Sequence, residues 1–197
     1  MKTKRMWTIG AAAALAAGLA LFFAREVNMK MPLTKYEGEK FSFQYPKEWT
    51  LKESVGSKEK YFQVHVFGAP DKDAGFGPSV AVTVYPKKAV GGAHDSAEDL
   101  AAARSAAAEK LPSYKLQEKK VRRLPCGVSA LEYSAVSIYR LPLYHPDAKD
   151  VPIREHLLFF EEGESLYVLS YKNLVSNYFV AAPAFDRVIK TFRFKAG

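Results

Sequence analysis

In "SVAVTVY", residues 79–85, valines stand at positions 80, 82 and 84, and this two-residue period recurs through most of the chain. Successive side chains of a β-strand point to opposite faces, so the alternation specifies half-buried strands rather than one helical stripe. It marks Phe41, Phe43 and Tyr45 in "FSFQYPKEWTL" and the run 61–67, and further strands are expected over 116–123, 129–138, 153–161 and 166–172. Pro46 has no N–H for a ladder and ends the first strand; Trp49 then begins a second, short one through Leu51. "GAPDKDAGFGP" is dense in turn residues and reads as a loop, and Glu162-Gly163-Glu164 sets a hairpin between the last two strands.

Helical spacing enters twice. Ser96, with Asp99 three residues on, resembles a capping box, and Leu100, Ala103, Ala107 and Leu111 follow at helical spacing while Arg104 and Glu109 point elsewhere. Pro112 stops this helix. Near the C-terminus Pro183 precedes Phe185, Val188, Ile189 and Phe192, an amphipathic helix. About seven largely hairpin-linked strands with a middle and a terminal helix imply an antiparallel sheet covered by helices, an α+β domain. A chain of 197 residues with 48% hydrophobic side chains holds one proper core, and its length argues against two domains.

The beginning of the chain bears on compartment. Lys2, Lys4 and Arg5 precede residues 6–24, which carry no charge, and Arg25-Glu26 closes the stretch. Nineteen helical residues at about 1.5 Å each reach roughly 28 Å, close to the hydrocarbon thickness of a bilayer. A cleaved secretory signal is the alternative, with a shorter apolar region as its usual mark. Phe22 disfavours a cut after Ala24, and a cut after Ala20 satisfies the small-residue rule but leaves Leu21-Phe22-Phe23 at the new end. The preferred organisation is a basic cytoplasmic N-terminus at 1–5, a transmembrane anchor at 6–24, a linker at 25–37 and a folded domain at 38–195. Positive charge ahead of the span keeps the short end inside and places the domain in the periplasm or extracellular space; if the leader is cut, the domain is an exported soluble protein.

Setting Lys2, Lys4 and Arg5 aside reduces the formal charge from +8 to +5, only mildly basic. One cluster stands out, "EKKVRR" at 118–123, with Lys119, Lys120, Arg122 and Arg123 as a candidate interaction patch. Outside a cell, anionic lipid or an acidic protein surface would suit it and nucleic acid would not; the structural alternative, which we favour, is an edge strand kept from aggregating by its cations. Cys126, the single cysteine, cannot form an internal disulfide and sits in the turn-like "LPCGV".

Catalytic patterns are absent. "GESLY" at 163–167 lacks the final glycine of a nucleophile elbow and leads into a strand, while "DKDAG" at 71–75 has its glycine one place early for a calcium loop and Val82 where a glutamate is needed. The nearest approach to a metal set is "YHPDAKDVPIREH" at 144–156, with His145, Asp147 and His156 as candidates beside Asp150 and Glu155. Its spacing matches no zinc pattern, so no metal or cofactor is expected. Tyr139, Tyr144, Phe159 and Phe160 could line a ligand pocket or fill the core.

"FSFQYPKEW" at 41–49, "SAEDL" at 96–100, "LEYS" at 131–134, "LYVLSY" at 166–171 and "APAFDRVIKTFRF" at 182–194 occur in that order. Together they make the body resemble the PsbP-like family, whose α/β/α sandwich is also seen in the Ran-binding Mog protein. The resemblance covers nearly all of 38–195 and implies a central, mostly antiparallel sheet of about six to seven strands, here preceded by one N-terminal transmembrane helix. It implies that 41–49 is the first hairpin of the fold, with Phe41, Phe43 and Tyr45 in the core and Trp49 packed behind the turn. PsbP proteins are extrinsic subunits that dock on a membrane complex and help to assemble it or retain its ions. The family's functional basic and metal-contacting residues find no match here, and the leader is not a transit peptide. The expected function is therefore a non-enzymatic, membrane-anchored accessory or scaffolding protein that docks on a membrane protein complex. A carrier or sensor domain for a small ligand or lipid is the alternative.

Overall fold

The computed structural model describes residues 31–56, 60–111, 113–141 and 146–195. Ten strands run in chain order: β1 (Leu33–Glu37), β2 (Phe41–Pro46), β3 (Thr50–Val55), β4 (Phe62–Phe67), β5 (Ser79–Pro86), β6 (Lys115–Arg123), β7 (Ser129–Leu141), β8 (Lys149–Glu162), β9 (Ser165–Leu174) and β10 (Arg193–Phe194). Two α-helices join them, α1 (Ala97–Ala108) and α2 (Tyr178–Thr191). The anchor expected over residues 6–24 lies outside the described residues. Among those described, no helix is long and apolar enough to cross a membrane.

Seven strands form one antiparallel sheet in the order β3-β4-β5-β9-β8-β7-β6, and β1-β2-β10 form a second, three-stranded one. The α+β architecture expected from the alternating pattern is what the chain adopts. Paired residues across an antiparallel ladder share a face, so the register separates the two sides of the large sheet. One side carries Val64, Val82, Leu169 and Leu158, opposite one another in turn. This side packs beneath α2 and the small sheet in one core with Phe41, Phe43, Phe185, Val188 and Phe192. The other side carries Tyr85, Leu166, Val168, Phe159 and Tyr133 and packs against Ala97, Leu100 and Ala101 of α1. Strands β8 and β9 are covered on both sides, which explains why "LLFF" at 157–160 is continuously apolar. Their hairpin turns at Gly163-Glu164, where Gly163 takes φ 56, the left-handed backbone that a two-residue turn of this hand requires of its first residue.

Two expectations at the chain's entry fail. Residues 33–37 belong to the fold rather than to a linker, and the folded unit begins at Leu33. Only Tyr36 of β1 is buried, so the strand's periodicity is too weak to read. Nor do 41–51 form a hairpin. Trp49 N–H closes a turn on the Pro46 carbonyl at 3.0 Å, but β2 then pairs with β1 and β10 while β3 becomes an edge of the large sheet. The turn is a corner between sheets, because burying Phe41 and Phe43 requires their strand to lie over the large sheet and not beside it. Phe41 and Phe43 are core, as expected; Tyr45 and Trp49 are half-buried against it.

The helices also depart in detail. Ser96 Oγ accepts from Asp99 N–H at 3.1 Å as the cap predicts, while Asp99 Oδ2 reaches back to Asp95 N–H at 3.2 Å. The buried stripe is Ala97, Leu100 and Ala101; Ala103, Ala107 and Leu111 are exposed. Arg104 is half-buried, and its guanidinium donates to Tyr85 Oη at 3.4 Å. Alanines all round a helix give no strong moment, so the sequence did not single out the buried stripe. Pro112 lies outside the described residues. Helix α2 starts five residues before Pro183, which removes a donor to the Phe179 carbonyl; Phe179 is 71% exposed, so water can serve that oxygen.

The ring of Phe41 is fully buried and contacts Tyr36, Phe43, Tyr167 and Phe192. Phe41→Ala is expected to destabilise the domain by about 3–5 kcal/mol in urea unfolding, against less than about 0.5 kcal/mol for Phe179→Ala. Similar losses for the two would contradict this packing.

Candidate functional site

Strand β6 is the terminal strand of the large sheet, and every one of its side chains except the half-exposed Arg122 is exposed. The basic cluster therefore sits on a free edge, the position predicted by its lysines and arginines. Lys120 and Arg122 share one face with Glu118, and Lys119, Val121 and Arg123 share the other. At the bulge between Leu116 and Glu118, Gln117 Oε1 accepts a hydrogen bond from the guanidinium of Arg154.

Behind Lys120 and Arg122 lies a carboxylate that sequence reasoning passed over. Glu132 stands on β7 directly opposite Lys120 and is 5% exposed. Its Oε1 lies 2.6 Å from His156 Nε2 and 3.5 Å from an Arg122 nitrogen; its Oε2 lies 3.8 Å from Lys120 Nζ. Oε2 accepts no hydrogen bond among the described residues, so the carboxylate is held by charge more than by directed bonds. Lys120 also bonds Glu118 at 2.8 Å. The imidazole of His156 packs edge-on against Phe185 of α2. Burial pushes His156 below the ordinary histidine value, and the nearby Arg122 and Lys120 push it the same way, against the pull of Glu132. The neutral ring thus donates from Nε2 to the carboxylate. Arg154 lies two residues back on β8, with its guanidinium 5.1 Å from the Tyr178 ring centre and 5.8 Å from that of Phe179. Burial raises the Tyr178 hydroxyl to about 12 despite this neighbour.

The two metal candidates among the described residues, Asp147 and His156, are not brought together. His156 is committed to Glu132, and Asp147 precedes the start of β8 by two residues. At about 3.3 Å per strand residue, roughly 23 Å of β8 separates its first residue from His156. His145 lies outside the described residues, and among those described no three potential ligands cluster. Asp71 of "DKDAG" accepts from the N–H groups of Asp73 and Ala74 at 3.0 Å each, which makes it a turn residue. Phe159 and Phe160 fill opposite cores: Phe159 packs on Tyr133 and also lines a shallow cleft of about 350 Å³ beside α1, and Phe160 stacks on Tyr167 with ring planes 3° apart. Tyr139 is half-buried in a small third core, and Tyr144 lies outside the described residues.

A second feature that the sequence did not reveal is a cleft of about 740 Å³ where the small sheet meets β4 and β5. Phe62, Val84 and Pro86 give it an apolar wall, with Lys40, Lys60, Lys195 and Glu53 around them. Burial, and then the hydrogen bond and negative charge of Glu53, raise the Tyr36 hydroxyl well above its usual range.

No family model matches the chain, and no curated protein matches it in sequence. Solved structures do match. LpqN, involved in cell envelope biogenesis of Mycobacterium tuberculosis, aligns at TM-score 0.53 and 14% identity over 85% of this chain and 92% of its own. Cyanobacterial PsbP (CyanoP) from Synechocystis sp. PCC 6803 aligns at TM-score 0.53 and 13% identity, over 83% and 92%. The chain has the PsbP-like fold. A third structure, the Ran-binding protein Mog1p of Saccharomyces cerevisiae, aligns at 0.47 and 8% identity over 83% and 95%; the assignment rests on the other two. At these identities the likeness concerns fold alone.

Because His156 binds its proton less readily folded than unfolded, the stability it confers is complete above the ordinary value of 6.5 and is lost as pH falls from there to the lower folded value. The melting temperature is expected to fall from about pH 7.5 to about pH 5, and to fall less in His156→Gln, whose amide does not titrate. Equal slopes would refute the assignment. Glu132→Ala, which strips His156 of its acceptor and leaves Arg122 facing Lys120, is expected to lose about 2–3 kcal/mol in urea unfolding. Lys120→Ala, at the solvated end of the cluster, is expected to lose under about 1 kcal/mol.

Proposed function

We propose that this chain is a non-enzymatic accessory protein, anchored in the membrane by residues 6–24 with its domain on the outer face, that docks on a membrane protein complex. The observation that carries the reading is β6, an exposed edge strand with five cations and one anion in nine residues, backed by a buried carboxylate that holds two of those cations on one face. Such a strip suits an acidic protein surface, and desolvation costs little where cations at the rim of a contact keep their water. A fold shared with a protein of cell envelope biogenesis is in keeping with a place outside the cytoplasmic membrane. Affinity capture of C-terminally tagged full-length chain from gently solubilised native membranes is expected to recover a stoichiometric partner, released as salt rises. Recovery of the chain alone, monodisperse, would refute it.

The cleft between the two sheets favours a second reading, a carrier or sensor for a small ligand. Its volume falls within the range of about 300–1,000 Å³ typical of ligand sites, and it combines an apolar wall with a few polar groups. Native mass spectrometry of the captured chain distinguishes the readings: a co-purified small molecule lost in Phe62→Ala supports a carrier.

A further inference from the structure

We infer that β6 is a docking edge for an acidic, extended segment of a partner protein, which adds to the large sheet as an eighth strand. The inference rests on the accessory reading above and gives it a mode and a partner chemistry.

With β7 on one side and no strand on the other, the outward N–H and C=O groups of β6 have no ladder partner among the described residues. Such an edge accepts another strand by main-chain hydrogen bonds, and its side chains then decide which strand. Three occupants compete, and charge separates them. A second copy would lay β6 on β6, a net +4 against +4. Residues 1–30 of this chain carry Lys2, Lys4, Arg5, Arg25 and Lys30 against Glu26, again net +4. Like charges on adjacent strands repel, so both are disfavoured and an acidic strand is selected. The opposite edge of the sheet, β3, balances Lys52 with Glu53 and makes no such selection.

The two faces of β6 are unequal. Lys120 and Arg122 are partly neutralised by Glu132, and Lys120 also by Glu118. Lys119 has the Tyr133 ring, 5.2 Å from its Nζ to the centroid, and no carboxylate partner among the described residues. Val121, between Lys119 and Arg123 on that face, is 69% exposed. The bulge at Gln117 limits regular pairing to 118–123. The partner's recognised face is therefore acidic, apolar, acidic at alternate positions, with the apolar side chain on Val121 and the carboxylates on Lys119 and Arg123.

The test uses full-length chain and a synthetic peptide in which Glu, Val and Glu alternate with Thr. A second peptide has the same charges but proline at the two Thr positions and N-methyl groups on the Glu and Val nitrogens, which removes strand hydrogen bonds whichever amides face β6 and leaves the electrostatics. Binding is read by fluorescence anisotropy and by hydrogen exchange of the β6 amides. Expected are binding of the first peptide with slowed exchange in 118–123, at least about tenfold weaker binding of the proline peptide, and a loss of about tenfold or more in Lys119→Glu/Arg123→Glu, whose fold is checked by its melting temperature. The same reversal at Lys120 and Arg122 is expected to weaken binding less. Equal binding of both peptides, or no binding of either, would overturn strand addition. If capture from membranes still recovers a partner in that case, accessory docking stands without it; if capture also fails, both fall.

Discussion

Strands β8 and β9 must be covered on both faces, and the rest of the domain is arranged to do so. Their side chains alternate between two cores, so a single layer on one side would leave Phe159, Leu166 and Val168, or else Leu158, Phe160 and Leu169, in water. At about 1.5–3 kcal/mol per buried side chain, leaving either set of three exposed would cost an amount comparable to the whole stability of an ordinary domain. Helix α1 covers one side. The other is covered by α2 together with the small sheet, whose strand β2 brings Phe41 and Phe43 onto Phe192 and Tyr167. That demand is why the chain leaves the plane of the large sheet at the Pro46–Trp49 corner.

Burial falls off from this centre toward β6, and chemistry rises with distance from it. On β8, Leu158 and Phe160 are sealed, His156 is half-buried, and Arg154 reaches the rim beside Gln117. On β7, Glu132 is a buried acid standing directly opposite the charged edge. Its carboxylate takes a hydrogen bond from the core side through His156 and faces two cations on the solvent side. This half-dry position makes one face of the edge electrostatically quieter than the other and gives the strip its direction.

The strands were legible because alternation is a local property: each of the long runs, from Val80–Val82–Val84 to the hairpin at Gly163, writes its face into neighbouring residues. The aromatic stretch at 41–49 identified core residues for the same reason. Its pairing was not legible, since which strand lies beside β2 depends on β1 and on β10, some 150 residues away in sequence. The α1 stripe was misread because alanine contributes little to either face. Glu132 was invisible as a site because "LEYS" places a single acid among strand residues, and only the register puts it opposite Lys120 and within reach of His156.

By itself the sequence determined the α+β class, the alternating strands, the cap of α1 and the basic character of 118–123, all set by side-chain period and local hydrogen bonding. Tertiary structure decided that 118–123 is an edge, that one face of it is backed by a buried carboxylate, that His156 is committed to that carboxylate, and that a cleft opens between the sheets. Each of these depends on which strands become neighbours. That choice is made by burying both faces of β8 and β9 at once, a sum over contacts distant in sequence that no local pattern records.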